Sequence, residues 1–333
     1  MLIVMSLVGS FRYDKYRLLW DSDRASLCLD RGGKVERRRL EYFLAVIEHG
    51  GFTTAAAALR ISQPSLSYAI KTLERDLGAV LFHRLPRGVR LTDAGEAFAE
   101  SARLIVREIE TARAQVEAIA GLVAGRLDVV SLPGLVVDPL APAIRNFHHR
   151  HPKVRIRIEQ VDAPTDVRDA VRTGTAELGL TDELHPTDRD LTGELLTEQE
   201  LVAALPPGST APPDGAMDLR TLLHTNLVTG PPGGAMRDFL AGEAAKIGHE
   251  FSPAIEVTGR GSTLYLALAG VAVIPLPRPL AELARLGGAV IVPLRPRQSR
   301  HVYLLRRGAF LSPAARTMCA VLRDQAACAF PGA

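Results

Sequence analysis

Near the start of the chain, apolar residues recur with helical spacing in three short runs. From Arg37 onward, Leu40, Phe43, Leu44 and Ile47 share one stripe that Gly50-Gly51 ends, the pattern of an amphipathic helix. The second run, Ala55-Ala56-Ala57-Ala58-Leu59, follows Thr53 and Thr54, either of which predicts an N-cap, and its small side chains admit a closely packed neighbour. After the turn Ile61-Ser62-Gln63-Pro64 a third helix is predicted, with Ser62 as N-cap and Pro64 in the first turn. It places Leu66, Ile70, Leu73 and Leu77 on one face and Ser67, Tyr68, Lys71 and Arg75 on the other. Three short helices with a tight turn before the last are the helix-turn-helix pattern, in which the final helix meets the DNA major groove. The segment from Leu81 to Arg90 then reads as a two-stranded wing around a Pro/Gly turn.

A long helix follows, capped by Thr92, with Asp93 and Glu96 in its first turn to suit the helix dipole. Phe98, Ala102, Ile105, Ile109, Ala112, Val116 and Ile119 alternate spacings of four and three, a heptad seam that predicts pairing with a second copy; the alternative is a helix packed on its own domain. Gly121 to Gly125 break it. Beyond, strand-like runs (Leu127 to Leu132, Val154 to Val161, Glu177 to Thr181, Glu200 to Leu205, Leu227 to Thr229, Ala254 to Val257, Val271 to Ile274, Ala289 to Val292, Val302 to Leu305) alternate with helical ones. The clearest helical runs are Pro139 to His149, Ala163 to Thr173, Ala235 to Ile247 and Ser312 to Ala327. Such alternation predicts an α/β domain with parallel sheets, whose ligands sit at the carboxyl ends of strands.

Composition narrows the class. The 333 residues are enough for two domains, and 47% hydrophobic with 23% charged residues is ordinary for a globular protein. The net charge is only +3, yet between Arg60 and Arg90 six basic residues (Arg60, Lys71, Arg75, Arg84, Arg87, Arg90) face two acidic ones (Glu74, Asp76), a local +4 that suits nucleic acid. Three cysteines, Cys28, Cys319 and Cys328, make no disulfide framework and fit a reducing compartment. No apolar run approaches the roughly 18 residues that span a bilayer, so a cytoplasmic protein with no membrane partner is expected. Residues 1 to about 34 carry no persistent period; they read as a poorly ordered tail, translated from an upstream start, or as a regulatory arm.

The candidate chemistry is recognition. Ser62, Gln63, Ser65 and Ser67 can bond phosphates or base edges, Gln63 can hold an adenine edge at two points, and Lys71 supplies charge. His148, His149 and His151 follow one another at a helix end, where sequential spacing does not converge on a metal, so no metal site is expected. Asp182-Glu183-Leu184-His185, with Asp188 and Asp190, reads as a solvated loop, although Thr181 and Asp182 lie where a strand should open into a cleft. Gly230-Pro231-Pro232-Gly233-Gly234 resembles a phosphate cradle only loosely, because it lacks the GK[ST] ending and its prolines remove backbone donors. No nucleophile-elbow motif is present, and no cofactor is implied.

The residues from Arg38 to Glu96, with Leu40-Glu41-Tyr42-Phe43, Ser62-Gln63-Pro64-Ser65-Leu66-Ser67, Leu73-Glu74, Leu77-Gly78, Leu81-Phe82-His83-Arg84 and Leu91-Thr92-Asp93-Ala94-Gly95, resemble the LysR-type transcriptional regulators. The resemblance extends through Gly125-Arg126-Leu127, Pro152, Glu177-Leu178-Gly179 and Val273-Ile274-Pro275, over roughly residues 36 to 328. It implies a winged helix-turn-helix domain at 36–93, a linker and dimerisation helix at 94–124, and a periplasmic-binding-protein-like effector domain at 125–333. The effector domain's subdomains would be about 126–196 with 301–333, and about 197–300. Residues 1–35 would be a tail outside this scheme. The implied partners are promoter or operator DNA, a second copy in a homodimer or homotetramer, a small-molecule effector and RNA polymerase, at the bacterial nucleoid. Effector binding would change the angle between subdomains, which requires unequal affinity for the two arrangements.

Carried over by residue, Ser62, Gln63, Pro64, Ser65, Ser67, Tyr68 and Lys71 on the third helix, with Arg84, Arg87 and Arg90 on the wing, would meet DNA. Tyr68 stands where many members have arginine, so a guanine-reading fork is lost there. Ser131, Leu132, Pro133, Gly134, Thr181 and Asp182 would meet the effector. Leu132 and Gly134 remove two hydroxyls that members commonly place around the proline, which points to a more apolar ligand or to none. Leu268 to Val273 looks about two residues short of the usual glycine-rich equivalent. The rival functions are a small-molecule enzyme fused to a DNA-binding module and an effector-independent architectural DNA binder.

Overall fold

The structure is a computed structural model that describes residues 26–28, 34–85, 88–119, 125–185, 190–257, 262–308 and 311–329. The chain divides into two compact units at Val106 and Arg107, each described separately below.

The first unit begins with a short antiparallel pair, β1 (Ser26–Cys28) and β2 (Lys34–Glu36), in a stretch where the sequence shows no strand period. Pairing of so few residues leaves no alternation long enough to read. Helices α1 (Arg37–Glu48), α2 (Phe52–Leu59) and α3 (Gln63–Leu77) follow, then β3 (Phe82–Arg84), β4 (Val89–Leu91) and the start of α4 (Asp93–Ile119). The apolar stripes converge: Leu40, Phe43, Val46, Ala55, Leu66, Ile70, Leu73 and Leu81 form one buried core. Phe43 sits at its centre, with the rings of Phe82 and Phe98 each 5.2 Å away in the tilted arrangement that aromatic pairs favour. The expected threonine cap on α2 is not there. Gly51 is the N-cap, and Thr54, inside the first turn, donates its hydroxyl to the carbonyls of His49 and Gly51. With Gly51 as its N-cap the helix starts at Phe52, three residues before the alanine run.

The second unit is built on β5 (Gly125–Ser131), α5 (Pro133–Leu135), a wide turn over Val136–Leu140, α6 (Ala141–Arg150), β6 (Val154–Gln160), α7 (Pro164–Arg172), β7 (Leu178–Thr181) and β8 (Leu191–Leu205). Next come β9 (Met217–Asp218), α8 (Leu219–Leu223), β10 (Val228–Thr229), α9 (Ala235–Lys246), β11 (Ile255–Glu256) and α10 (Ser262–Leu268). The chain ends with β12 (Ile274–Pro277), α11 (Arg278–Leu286), β13 (Val290–Arg307) and α12 (Pro313–Ala329).

Its main sheet runs β12-β8-β13-β7-β5-β6, with β9 also paired to β13, and it is mixed rather than parallel. β5 is parallel to β6 and β7, whereas β13 is antiparallel to β7 and β8, and β12 is antiparallel to β8. The runs at Ala289 to Val292 and Val302 to Leu305 are two ends of one 18-residue strand. Its middle, Arg295 to Arg300, is polar and hides the continuity from a reading of apolar runs.

β8 and β13 carry the chain between two lobes. The buried residues of the first lobe include Leu127, Val129, Phe147, Leu178, Val302 and Met318. Those of the second include Leu201, Leu222, Leu240 and Val292 in one cluster and Val202, Val228, Ile274 and Ala281 in another. Cys319 is buried in the first lobe, its thiol pushed up to about 11 by that burial, so it carries no reactive thiolate near neutral pH. Among the described residues no helix is long and apolar enough to cross a membrane.

Candidate nucleic-acid interface and ligand cleft

Helix α3 is fixed from both ends. At its start, the Ser62 hydroxyl accepts the backbone N–H of Ser65 at 3.3 Å and lies 2.7 Å from the Ser65 hydroxyl, so these two serines hold each other in the cap geometry. At its end, Arg39 on α1 donates to Asp76 at 2.6 Å, and Glu74 accepts the backbone N–H of Leu81 at 2.9 Å, tying the helix to the wing. Leu66, Ile70 and Leu73 are fully buried beneath it. The outer face carries Gln63, Pro64, Ser65, Tyr68 and Lys71 in the open, with Ser67 half-buried between them. Tyr68 is 72% exposed, a large ring with no packing role in the domain.

In the wing, β3 and β4 pair His83 with Arg90 and Arg84 with Val89, and His83 and Arg90 both face solvent. The Arg84 side chain, and Arg87 altogether, lie outside the described residues. The first turn of α4 seats against the wing's entry. Thr92 Oγ1 accepts the N–H of Gly95 at 3.0 Å and donates to the Val80 carbonyl at 2.7 Å. A Cβ at Gly95 would lie 2.2 Å from the Leu81 carbonyl oxygen, so only glycine permits this approach.

The heptad seam divides in two. Ala102 is fully buried in the core of the first unit, and Phe98 and Ile105 pack half-buried against it. Heptad spacing alone could not separate these readings, because a helix stripe packed on its own domain repeats in the same way. Farther along, Ile109 is half-buried, Ala112 is exposed and Val116 is 69% exposed, while the Ile119 side chain lies outside the described residues. In the second unit Arg107, from the same helix, donates to the carbonyls of Gly174 and Thr175 and to Asp128 at 3.0 Å, with Glu177 at 3.8 Å.

In the second unit a cavity of about 190 Å³ is lined by Leu132, Pro133 and Gly134 together with residues from β10, α9, β12 and the loops beside them. A neighbouring cavity of about 300 Å³ is lined by Asp182, Glu183, Asp238 and His301, and Arg300 borders both. Two of the expected ligand residues do not reach either wall. Ser131 is fully buried and donates its hydroxyl to the Leu132 carbonyl at 2.9 Å. Thr181, also fully buried, accepts the N–H of Glu183 at 3.4 Å. Both sit at the carboxyl ends of their strands, β5 and β7.

The polar side chains that line the first cavity are Arg300, Arg237, Thr229, Thr263 and Asp162, none of them singled out by the sequence pattern, whereas Asp182, which was, lines the second. Register brings Arg300 of β13 opposite Gln199 of β8, and Arg300 donates from Nε and Nη2 to Gln199 Oε1 at 3.1 and 2.9 Å. Gln199 Nε2 in turn donates to Asp138, at its carbonyl and its carboxylate, at 2.7 and 2.8 Å. Across the cleft Arg237 donates to Thr229 Oγ1 at 3.2 Å and stacks over Phe251. The Gly230 to Gly234 loop contributes to the wall, but with its prolines it is no phosphate cradle. His148 and His149 are exposed, and no cluster able to hold a metal occurs among the described residues.

Comparison with known proteins completes the picture. The family model described as the LysR substrate binding domain matches residues 120–327, and that of the bacterial regulatory helix-turn-helix protein, lysR family, matches residues 37–96. Among curated relatives, the HTH-type transcriptional regulator XapR of Escherichia coli is 27% identical over 296 residues, 88% of this chain and 99% of its own. The HTH-type transcriptional regulator TfdT of Cupriavidus pinatubonensis is 33% identical over 176 residues, 53% of this chain and 77% of its own. Among solved structures, CbnR, a LysR family transcriptional regulator, is 25% identical with a TM-score of 0.65, covering 88% of this chain and 99% of its own. Full-length CbnR complexed with its target DNA gives 26% identity and a TM-score of 0.63, over 87% and 100%.

Proposed function

We propose, on the premise that the chain belongs to the LysR family of transcriptional regulators, that α3 reads an operator while the second unit senses a small molecule. The observation that carries this reading is the two-faced α3: Leu66, Ile70 and Leu73 are fully buried on one side, and the other turns Gln63, Ser65, Tyr68 and Lys71 to solvent. Gln63, Ser65, Ser67, Tyr68 and Lys71 are the base and near-phosphate contacts, supported at the helix start by Ser62 and Pro64. Arg84, Arg87 and Arg90 hold phosphates from the wing. The effector occupies the cleft bordered by Leu132, Pro133, Gly134 and Arg300.

The open end of α4, around Ala112 and Val116, pairs with a second copy, so that two readers span an operator; pairs of dimers make the tetramer. The domains run 36–93, 94–124 and 125–333. The protein is a regulator and not an enzyme, as the names of its relatives support. It acts in the cytoplasm, at the chromosome, and meets RNA polymerase there.

The test is a mobility shift on the DNA upstream of its own gene, against a random duplex, over a range of salt. Gln63→Ala should lower the specific-to-nonspecific ratio by about tenfold, the discrimination of one two-point base contact. Arg90→Ala should weaken both and reduce the salt slope by about one. A ratio unchanged by Gln63→Ala would remove α3 as the reader.

A further inference from the structure

One residue on the outer face of α3 does not match its neighbours. Gln63, Ser65 and Lys71 turn polar groups to solvent, whereas Tyr68 turns out an aromatic ring that is 72% exposed. Elsewhere in this unit aromatic surface is put away: Phe43 and Phe82 are buried, and Phe52 and Phe98 pack against the same core. Among the described residues of the first unit, Tyr68, Val80 and Leu85 are the large apolar side chains left outside, and only Tyr68 stands on α3.

The backbone that carries this ring is well held. Buried Thr72, one turn on, donates its hydroxyl to the Tyr68 carbonyl at 2.9 Å, and Leu66 and Ile70 on the opposite side of the helix are locked in the core. Helical spacing puts Pro64 one turn before Tyr68 and Lys71 one turn after it on the same face. The ring therefore stands in the middle of the outer row, flanked along the helix by a second apolar side chain and by a cation.

The major groove of DNA offers such a ring one apolar target. Adenine, guanine and cytosine present donors and acceptors at their groove edges, and thymine alone adds a methyl group, at C5. An arginine at this point of the helix would grip guanine at two points, a fork that a phenol with its single hydroxyl cannot form. Laid on a polar base edge, the ring would take water from donors and acceptors without replacing their hydrogen bonds. Laid on thymine, it buries a methyl group against carbon.

We propose that Tyr68 is a specificity-determining residue of α3 and that it selects thymine by its methyl group, so that each bound α3 prefers thymine to cytosine at one position. The inference rests on the assignment of α3 as the operator reader and adds the base that this side chain chooses.

The experiment uses the full chain. A preferred duplex is selected from a randomised pool, and each of its thymines in turn is replaced by deoxyuridine, which removes the methyl and keeps every hydrogen-bonding group. At one position per half-site the parent should lose about fourfold in affinity, the value of one buried methyl group. Tyr68→Ala should bind the thymine and uracil duplexes equally there, while Tyr68→Phe, which keeps the ring and drops the hydroxyl, should retain the fourfold difference. At the same position 5-methylcytosine should bind the parent better than cytosine does, and Tyr68→Ala should not tell them apart. Since the ring lies in solvent, Tyr68→Ala should keep the parent's Tm and its affinity for a random duplex. No penalty at any thymine, penalties that all survive Tyr68→Ala, or a penalty abolished by Tyr68→Phe overturns the proposal. The reader assignment is judged apart from it. If Gln63→Ala lowers the specific-to-nonspecific ratio while methyl loss is felt equally by the parent and by Tyr68→Ala, only the role of Tyr68 falls. If neither substitution changes that ratio, α3 as the reader falls with it.

Discussion

The two units treat polar groups in opposite ways. In the first, the buried interior is almost wholly apolar; among the described residues only Thr72 is a buried polar side chain, and it bonds the Tyr68 carbonyl one turn back. In the second, Asp128, Arg168, Glu177, Gln199 and Thr229 all lie inside. Part of the difference follows from the task of each: of these five, Thr229 lines a cavity and Gln199 bonds Arg300 at its edge. A DNA reader meets its partner with side chains that are solvated until contact, so its polar groups belong on the outer face of α3 and its interior need only hold that face rigid. A ligand cleft works by removing a small molecule from water, which demands polar groups already desolvated and aimed. A buried polar group needs a partner of its own, as Gln199 has in Asp138 beside the cleft and Glu177 has in Ser312 away from it.

This contrast makes predictions. Phe43→Ala should cost the first unit about 3–5 kcal/mol, because the fully buried ring sits in the apolar core that α1, α2 and α3 share. In a denaturant series it should lower one transition and leave that of the second unit in place; a uniform shift of both would mean the units do not differ as described.

Glu177→Gln tests the buried carboxylate of the second unit. Burial raises its pKa above 4.5 despite the bonds from the Ser312 N–H and hydroxyl and the nearby Arg107 charge. The native state therefore holds this proton more tightly than the unfolded chain does. Its contribution to stability is complete below pH 4.5 and is lost as pH rises through the folded value. The variant has no such loss, so its Tm relative to the parent should climb as pH rises toward neutrality. A constant difference would show that the carboxylate is solvated.

The smallest change in folding is expected at Val116→Asp on the open part of α4, within about 0.5 kcal/mol for an exposed site. Its effect belongs instead to assembly. Light scattering should show a lower mass for the variant, since a charge would be buried in the paired helices. An unchanged mass would return the whole seam to packing within one chain.

How much was legible depended on the distance between the residues involved. Ser62 capping α3 and Thr92 capping α4 act across three residues, and both stand where the pattern put them. The buried face of α3 was legible for the same reason. The split of the heptad seam was not, because spacing tells that a face is apolar and says nothing of which surface covers it. The continuity of β13 was lost in its polar middle, and α8 and α10, of five and seven residues, are too short to show a helical period. In the cleft, Ser131 and Thr181 were placed at the right strand ends, yet their hydroxyls turn to the backbone.

What the order of amino acids settled, then, is the reader: its three helices, its cap, its outward polar row and the family to which those motifs point. The chemistry of the cleft had to wait for three-dimensional pairing. Arg300 meets Gln199 from 101 residues away through strand register, and Gly134 makes room for it from a third segment. Local spacing encodes contacts along one helix, whereas a desolvated site draws its groups from distant strands, and no short-range pattern records which of them will face one another.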